Sequence, residues 1–555
     1  MCILMLLSRS VCTANENDED LINQVLLAIE SSVIWDLDSN GFSDSTDPFD
    51  RFGETLSHGD YNGDGRQDLA IGIPGWDFVL FGTTPNVGTV LIMYGTPYGL
   101  STTDSQFLFQ TFETDPLNFE NTEGAEANDF FGKSLASGDF NCDGISDLAV
   151  GTPTEGVTFI GSGGLRTNVG AINVFYGSMT GFSDNGQGST FIHQASGGNS
   201  SVAAFDAALS TGDGFGWSMT VGNFNGDSDG GHSCLDLAVS APFEDLGNEN
   251  QISDGGIVHI YYGDVNGISA SDSDVLSQNA LFADGSSEIN DQFGYSLAAG
   301  RFRGIFNSGF SDLAIGIPME DVGGITNAGA VHVFNGGVGG LQSHLISAND
   351  DFIWSQSGAI SGTVEADDRF GMSLLTGDFN ADQADDLVVG VPRENIGEIN
   401  NAGAINVIYG GVAGLTTNGN QLFSQNTVGI LNFAENSDQF GLTLTSNGDL
   451  NYDSIPDLVV GVPGEDASSG AFHIIYGGAS GLSNIDNEYI VNPSNVNIGD
   501  EMSFAMTVAD FGKGPELVVS MPGDNSTDDD DDSGSVQIFT FENLDVIFKN
   551  SFEFN

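Results

Sequence analysis

One phrase recurs seven times along the 555-residue chain, and it constrains the fold more than any other feature. Each copy begins with an aromatic-Gly pair, crosses a polar loop to an apolar run that ends in Pro, and finishes with a second apolar run. The copies begin at residues 52, 131, 215, 293, 370, 440 and 502, and Met502-Ser503 replaces Phe-Gly in the seventh. A constant phrase at unequal spacing indicates fixed strands joined by variable loops.

Each copy has the pattern of four short β-strands. The runs LAIGIP, LAVGTP and LVVGVP are short and apolar and end in Pro, whereas GAINVFY and GAFHIIY alternate in polarity. A less regular fourth strand precedes each Phe-Gly pair, as around Trp354. Closing seven such units around an axis leaves few sheet edges exposed. We therefore predict an all-β fold, a seven-bladed β-propeller over residues 21–541, with a linear solenoid as the alternative.

The two ends of the chain compete for the edge of the seventh unit. The segment around Trp35 resembles the segment around Trp354, which belongs to the outer strand of the unit before it. Because no unit precedes Trp35, we expect this N-terminal strand to complete the seventh blade and close the ring. The C-terminal tail, residues 542–555, is the alternative. Residues 1–20 are interpreted as the remnant of a signal peptide.

The charge of the chain excludes several classes of partner. Acidic residues outnumber basic residues by 78 to 11, and the formal net charge is −67. Such a polyanion does not gather phosphates, so we expect no nucleic acid and no anionic lipid as partner. No apolar run approaches the roughly 20 residues of a transmembrane segment. High salt or bound divalent cations would make this acidity tolerable, and both point outside the cytoplasm.

The candidate metal ligands lie in a nine-residue polar loop between the first two strands of a copy. In four copies, oxygen-bearing side chains stand at positions 1, 3, 5 and 9, and the carbonyl at position 7 adds a fifth ligand. Carboxylates this close repel one another unless a hard cation lies among them, and oxygen ligands in a flexible loop favour Ca²⁺ over Mg²⁺. The predicted calcium ligands are Asp60, Asn62, Asp64, Arg66 and Asp68; Asp139, Asn141, Asp143, Ile145 and Asp147; Asp378, Asn380, Asp382, Ala384 and Asp386; and Asp449, Asn451, Asp453, Ile455 and Asp457.

Two other interpretations of these loops are less favourable. An EF-hand has the same spacing in its first half, but it needs a bidentate Glu at position 12 and a following helix. Position 12 is apolar in all four loops, and a strand follows; the residues are Ile71, Val150, Val389 and Val460. Asp, Asn and Gly also populate ordinary turns, but four copies in one register argue against that interpretation.

Three copies depart from the loop pattern. In the third, an insertion follows Asn223, Asn225 and Asp227, which leaves a fifth calcium site open. In the fourth, Arg301 and Arg303 replace the first two ligands. We expect one of these guanidinium groups to face Asp312 and to take the place of a cation. The seventh loop, residues 510–516, is too short to encircle an ion.

The phrase FGxSLxxGDFNxDGxxDLAVGxP resembles the FG-GAP repeat of the integrin α-subunit β-propeller family, and the resemblance covers residues 30–541. It implies a seven-bladed propeller with Ca²⁺ in the blade hairpins on one face. In integrins such a propeller joins a β-subunit and helps to hold extracellular ligands. No part of the chain matches the leg domains or the membrane anchor of an integrin subunit. We therefore expect this chain to share the fold and the cation sites of the integrin propeller, but not its ligand.

Several smaller features also carry expectations. An Asp stands two residues before each aromatic-Gly pair, and we interpret it as a structural residue that forms a turn or a hydrogen bond. Cys142 and Cys234 lie in corresponding loops of neighbouring copies, and in an oxidising compartment they would bridge two blades if their Cα atoms come within about 6 Å. A third-strand position that holds His in some copies and Asn or Gln in others is interpreted as structural and not catalytic. Its occupants are Asn173, His259, His332, Asn406, His473 and Gln537.

The sequence thus predicts a secreted or cell-surface calcium-binding propeller that acts as an adhesion or binding module for an extracellular protein or glycan. Loops on the face opposite the calcium hairpins are the candidate contacts, above all the inserts 75–87, 154–169 and 243–255. An extracellular enzyme acting on polysaccharide and a structural component of a surface assembly are the alternatives. We predict no catalytic residue.

Overall fold

The computed structural model describes residues 29–37, 49–79, 83–110, 126–159, 164–183, 189–194, 211–229, 231–247, 252–271, 273–278, 286–304, 309–341, 351–446, 448–485, 487–491, 499–524 and 533–541. Within these ranges, seven four-stranded antiparallel sheets are arranged as the blades of a ring. The predicted seven-bladed β-propeller is therefore confirmed. The short helical segment Glu465–Ser468 contains two residues with left-handed backbone angles, Asp466 and Ala467, and is better described as a turn.

Within each blade, the first strand of the repeat lies nearest the axis, the second and third strands follow in order outwards, and the fourth strand forms the outer edge. In the same order, the strands are Thr55–Gly59, Asp68–Ile73, Thr89–Thr96 and Gly99–Leu108 in blade 1; Ser134–Gly138, Asp147–Thr152, Ala171–Phe175 and Thr190–Ile192 in blade 2; Met219–Gly222, Asp236–Ala241, Ile257–Tyr261 and Ser273–Leu276 in blade 3; Leu297–Gly300, Asp312–Ile317, Ala330–Phe334 and Asp351–Trp354 in blade 4; Ser373–Gly377, Asp386–Val391, Ala404–Tyr409 and Thr416–Phe423 in blade 5; Leu444–Thr445, Leu458–Val462, Ala471–Ile475 and Glu488–Val491 in blade 6; and Met506–Asp510, Pro515–Met521, Ser535–Phe541 and Ile29–Trp35 in blade 7. Three two-stranded hairpins join Phe78–Val79 to Thr83–Thr84, Val157–Phe159 to Gly164–Arg166, and Ser228–Asp229 to His232–Ser233.

The ring closes between the two ends of the chain. The N-terminal strand Ile29–Trp35 pairs antiparallel with Ser535–Phe541, so that Val33 lies opposite Ile538. The innermost strands of all seven blades contact one another in cyclic order, and that of blade 7 contacts that of blade 1. The predicted closure by the N-terminal strand is confirmed. Residues 1–20 and the tail 542–555 lie outside the described residues.

The hydrophobic core is divided into seven clusters, one between each pair of neighbouring blades. Between blades 1 and 2, for example, Phe131 is buried among Val90 and Ile92 on one side and Leu148 and Val150 on the other. Burial of these apolar surfaces between sheets provides the main driving force for holding the ring together.

The geometry of the repeats explains the Phe-Gly pair. The amide of Phe131 donates to the carbonyl of Val87 in the preceding blade at 3.0 Å, while its ring enters the core between the blades. Gly132 has a φ of +92°, and a Cβ atom there would lie 2.9 Å from the carbonyl oxygen of Thr89. Gly is therefore favoured on both counts. In blade 7, Ser503 adopts the same left-handed backbone, with a φ of 72°, and its hydroxyl donates to the carbonyl of Ala471 at 2.6 Å.

Polar contacts repeat at the joints between blades as well. A Gln at the end of the outer strand donates its amide to a Glu in the next blade, two residues after the repeat's Pro. The donor–acceptor distances are 2.6 Å for Gln110–Glu155, 3.0 Å for Gln194–Glu244, 2.7 Å for Gln278–Glu320, 3.0 Å for Gln356–Glu394 and 2.6 Å for Gln425–Glu465. At the joint between blades 7 and 1, Leu37 and Trp76 pack in one apolar cluster instead.

The Asp two residues before the aromatic-Gly pair is architectural, as the sequence predicted. It is buried in all seven blades, and in four of them its Oδ2 atom accepts the backbone N–H of the residue three positions earlier. In blade 5 this bond joins Glu365 N to Asp368 at 2.6 Å. The carboxylate thereby stabilises the turn that precedes the inner strand.

Candidate metal sites

Four polar loops that share one sequence pattern lie at the same end of the ring. Each joins the innermost strand to the second strand, in blades 1, 2, 5 and 6. We call this end the loop face. Because consecutive strands of a blade run in opposite directions, the connections from second to third strand lie at the other end, which we call the opposite face.

The loop of blade 1 turns its polar side chains towards its own backbone. The amide of Asp64 donates to Oδ1 of Asp60 and to Oδ1 of Asn62, at 3.0 Å in each case. Gly65 N donates to Oδ2 of Asp60 at 2.8 Å, and Arg66 N donates to Oδ1 of Asp64 at 2.9 Å. The side chains at positions 1, 3 and 5 are therefore gathered on the inside of one turn.

The other three loops repeat this arrangement. The amide at position 5 again donates to the oxygens at positions 1 and 3. The two distances are 3.0 and 3.1 Å for Asp143, 3.0 and 2.9 Å for Asp382, and 2.8 and 2.9 Å for Asp453. The position 6 amide also bonds the side chain at position 1 in each loop. Four loops with different flanking residues thus adopt one conformation.

The Asp at position 9 is buried and plays a second role. Oδ2 of Asp68 accepts the amide of Tyr61 at 2.9 Å, and Oδ1 accepts the amide of Gly95 at the end of the third strand at 2.8 Å. Burial raises the pKa of Asp68 to about 7, although these backbone bonds oppose the shift. The corresponding residues make the same two bonds, and burial raises their pKa values to about 8, 8 and 7; they are Asp147, Asp386 and Asp457.

The donor set of these loops fits a hard cation. All the side-chain donors are oxygens, the residues at positions 1, 3 and 5 lie near the surface, and a buried carboxylate closes the turn. This is the ligand chemistry of Ca²⁺. Within the described ranges, no group of three or more His, Cys, Asp or Glu forms a ready metal cluster, and the loops depend on amide and backbone oxygens as well. Calcium binding by the twenty residues named above stays a prediction.

The loop of blade 3 has a different internal structure. Asn223 stands at position 1, its Nδ2 donates to the carbonyl of Asp227 at 2.9 Å, and Nδ2 of Asn225 donates to Oδ2 of Asp227 at 2.8 Å. The Asn225 bond recurs in blades 5 and 6, where Nδ2 of Asn380 and of Asn451 donates to Oδ2 of Asp382 and of Asp453 at 3.2 Å. The amide of Asn223 is therefore what distinguishes this loop, because the four loops with the common pattern have Asp at position 1. The fifth calcium site stays open.

Blade 4 replaces the acidic loop with an ion pair. Nη2 of Arg303 lies 2.5 Å from Oδ1 of Asp312 and 2.9 Å from the carbonyl oxygen of Gly336. Asp312 is fully buried and corresponds to position 9 of the other loops. The expectation that a guanidinium faces Asp312 is therefore confirmed, with Arg303 as the residue. Arg301 has an exposed side chain.

A disulfide joins the loops of blades 2 and 3. Cys142 and Cys234 are bonded, with their Cα atoms 4.7 Å apart. Cys142 occupies position 4 of the blade 2 loop, and Cys234 lies two residues before Asp236. The expected bridge between neighbouring blades is confirmed. The two bonded cysteines are 92 residues apart in the chain.

The third-strand histidines are structural in their surroundings. The rings of His259, His332 and His473 pack against the Phe of the Phe-Gly pair, with centroid distances of 5.2, 6.2 and 5.4 Å. Burial lowers the pKa values of His259 and His473 to about 3. Neutral rings held in a core are poorly placed for acid–base chemistry.

The opposite face carries the three inserts that the sequence singled out. Two of them form the short hairpins at Phe78–Val79 and Val157–Phe159, and in the third Leu246 pairs with Ile252. Sequence reasoning overlooked the glutamates that bind the outer-strand glutamines next to these turns. Their signal was present, since Glu recurs two residues after Pro in five copies.

Comparisons with known proteins agree with the repeat pattern. The FG-GAP repeat family profile matches residues 52–93, 131–172 and 370–408. Phosphatidylinositol-glycan-specific phospholipase D of Homo sapiens is 30% identical over 254 residues, which cover 45% of this chain and 25% of that protein. Integrin alpha-5 of Xenopus laevis is 28% identical over 202 residues, which cover 36% of this chain and 16% of that protein. The chain thus spans a quarter or less of the length of these relatives.

A rhamnogalacturonan lyase of Bacillus licheniformis is similar in structure over 88% of this chain and 71% of the lyase. The sequence identity is 12% and the TM-score is 0.36, so the similarity supports no argument about activity. Among the residues that the structure describes, no helix is long and apolar enough to cross a membrane.

Proposed function

Because the chain is a seven-bladed β-propeller with FG-GAP repeats and an integrin-like sequence, we propose that it is an extracellular calcium-binding module that binds a protein or glycan. The observation that carries the proposal is the common conformation of four acidic loops on one face, each with oxygen donors gathered inside one turn. The module is secreted or held at the cell surface.

Calcium would stabilise the ring in two ways. It would neutralise carboxylates that repel one another within each loop, and these carboxylates belong to a chain of net charge −67. It would also fix the hairpin of the inner strand, which contacts the inner strands of both neighbours. A cation that binds only the folded state raises the free energy of unfolding.

The fold suits the display of loops to a partner. The turns on the opposite face are held by glutamine–glutamate bonds between blades and by short hairpins. Loops that are already ordered lose little conformational entropy on binding. The disulfide between Cys142 and Cys234 supports an extracellular location, because disulfides persist mainly in oxidising compartments.

An enzyme acting on polysaccharide and a structural role in a surface assembly are the remaining alternatives. The buried histidines give the enzyme no support, and the chain spans only a quarter of the phospholipase that it resembles. The binding module is therefore the function that these observations favour.

A binding screen tests this function. We expect the purified protein to bind at least one member of an array of extracellular proteins and glycans in calcium, and to lose that binding in chelator. A variant with Asp64, Asp143, Asp382 and Asp453 all replaced by Ala should behave as the wild type does in chelator. Turnover of a polysaccharide, or absence of any binding in calcium, would overturn the proposal.

A further inference from the structure

The residue after each aromatic-Gly pair lies one or two positions before an innermost strand, at the end of that strand on the opposite face. Because the seven innermost strands contact one another around the axis, these seven residues surround the central opening of that face. We call them and their immediate neighbours the mouth. The seven residues are Glu54, Lys133, Trp217, Tyr295, Met372, Leu442 and Phe504.

One half of the mouth contains charges that neutralise one another. Glu54 is buried and forms ion pairs with both Arg51 and Lys133. Nη2 of Arg51 also lies 3.5 Å from Oε2 of Glu501, and its guanidinium carbon lies 5.3 Å from the centroid of the Phe504 ring. Among the described residues of this half, which blades 7, 1 and 2 form, the positive charges of Arg51 and Lys133 are both paired with glutamates.

The other half presents aromatic surface. The Trp217 ring packs edge-on against Phe243 with a centroid distance of 5.0 Å, and it lies 5.7 Å from the ring of Tyr295 in the next blade. All three side chains are half-buried, which leaves part of each ring in contact with solvent. Rings that are rigidly supported and partly exposed form a suitable surface for a flat ligand.

Two arginines of blade 5 adjoin this aromatic surface. Arg369 precedes Phe370 and Arg393 follows the Pro of the same repeat, so both lie on the opposite face. Burial raises the pKa of the Tyr295 phenol, and the positive charges of Arg369 and Arg393 oppose that shift. The pKa of Arg369 is lowered by burial and by the charge of Arg393. The charges of the two guanidinium groups therefore act on each other and on the Tyr295 phenol, which lies in the next blade.

These two arginines are unusual in so acidic a chain. Of the ion pairs that the described ranges contain, none involves Arg369 or Arg393, although the chain has 78 acidic residues and only 11 basic ones. The Nε atom of Arg369 is buried without a hydrogen-bond partner. The charges of Asp367 and Tyr295 oppose the lowering of the Arg369 pKa, but Asp367 forms no ion pair with Arg369. The charges of the two guanidinium groups repel each other, and an anion placed between them would relieve that repulsion.

We propose that Trp217, Tyr295, Arg369 and Arg393 bind an anionic sugar residue of an acidic glycan. This site deepens the proposed function, on which it rests, by assigning a ligand class and a location. The planar guanidinium groups match the geometry of a carboxylate or sulfate group. The aromatic rings offer an apolar surface to the C–H face of the sugar ring, and an acidic peptide would use the arginines without needing that surface.

The net charge of the chain does not prevent such binding. At physiological ionic strength the Debye length is about 8 Å, so distant carboxylates are largely screened. The exposed carboxylates of the calcium loops lie at the other end of the inner strands, on the loop face. Carboxylates also lie on the opposite face beside the two arginines, namely Glu365, Asp367, Asp368 and Glu394. We expect direct contact with two guanidinium groups to outweigh their repulsion of an anion.

Four probes separate the ligand classes in a titration at physiological salt. They are an alginate oligosaccharide for carboxylate, a carrageenan oligosaccharide for sulfate, a maltooligosaccharide as the neutral control and an oligoglutamate peptide. We expect the wild type to bind one or both anionic glycans and to bind neither the neutral glycan nor the peptide. The double variant Arg369→Gln/Arg393→Gln and the variant Trp217→Ala should each bind at least about tenfold more weakly, which corresponds to the loss of an ionic or stacking contact of about 1.4 kcal/mol or more.

The matched control is Arg301→Gln, which removes an exposed guanidinium from the loop face and should bind as the wild type does. Melting temperatures establish that each variant folds, and Arg369→Gln/Arg393→Gln decides the question if Trp217→Ala does not. Equal binding by the double variant, stronger binding of the peptide or the neutral glycan, or no binding of either anionic glycan would overturn the mouth site. If the wider screen still finds a protein partner, the proposed function survives that failure; if it finds none, both fail.

Discussion

Nη2 of Arg303 lies 2.5 Å from Oδ1 of Asp312, the buried carboxylate that corresponds in blade 4 to Asp68 in blade 1. Blade 4 thus supplies a fixed positive charge from its own chain to a carboxylate that elsewhere faces an acidic loop. A guanidinium thus takes, in blade 4, the place that we propose for a cation in the four acidic loops.

Replacing Arg303 by Ala should leave Asp312 buried without its counter-charge. Removing one partner of a buried ion pair costs about 3–5 kcal/mol, and the partial exposure of Arg303 places the expected loss of unfolding free energy near the lower value. Arg301→Ala removes an exposed arginine two residues away and should change stability by less than about 0.5 kcal/mol. Chemical denaturation measures both, and equal stabilities would show that the pair contributes nothing.

The disulfide between Cys142 and Cys234 should stabilise the joint between blades 2 and 3. Mass spectrometry of native protein treated with an alkylating agent should leave both cysteines unmodified until a reductant is added. The double variant Cys142→Ser/Cys234→Ser should unfold with a free energy lower by about 2–5 kcal/mol, because it no longer constrains the unfolded chain. Alkylation of both residues without reductant would contradict the bridge.

Ring closure should depend on the apolar contact that follows the N-terminal strand. Leu37 is 1% exposed and belongs to the same cluster as Phe52 and Val536. Leu37→Ala should lower the free energy of unfolding by about 3 kcal/mol through lost burial and a residual cavity. Val33, in the strand itself, is 48% exposed, and Val33→Ala should have little effect. If the two variants are equally stable, the N-terminal segment does not close the ring in solution.

The burial of the glutamates that accept these glutamine bonds should make stability depend on pH. Burial, together with the charges of Asp368 and Glu365, raises the pKa of Glu394 to about 7, although the bond from Gln356 opposes the shift. The folded state therefore holds a proton that the unfolded state releases above about pH 4.5, so stability falls as the pH rises towards 7.

Glu394→Gln resembles the protonated side chain at every pH. In saturating calcium, this variant should exceed the wild type in unfolding free energy by about 1–2 kcal/mol at about pH 8, and by little at about pH 5. Glu398→Gln, an exposed neighbour in the same turn, should not change the pH dependence. Thermal denaturation across this range measures the effect, and a constant difference between Glu394→Gln and wild type would refute it.

The repeats made most of the fold predictable from the sequence. Each blade packs against its neighbours through the same repeated residues, such as Phe131 and Gly132 in blade 2. The order of the strands and the closure of the ring could therefore be predicted from the repeats without knowledge of long-range contacts. The ion pair of Arg303 and the bond between Cys142 and Cys234 were predictable for the same reason. Both stand at positions whose surroundings are known from the other copies.

The mouth was not predictable in that way. Trp217, Tyr295, Arg369 and Arg393 occupy positions that vary from repeat to repeat, and nothing in a single copy marks them as a group. They come together only because the ring brings three different blades to one axis. The sequence also does not determine which cation the loops bind. The common loop conformation supports the binding of a cation, and a binding measurement is needed to identify it.

Isothermal titration of chelator-treated protein with Ca²⁺ tests the central claim most directly. We expect uptake of about four ions per chain, one for each loop with the common conformation, and one fewer in each of the variants Asp64→Ala, Asp143→Ala, Asp382→Ala and Asp453→Ala. A wild-type protein that takes up no calcium in this titration would contradict it.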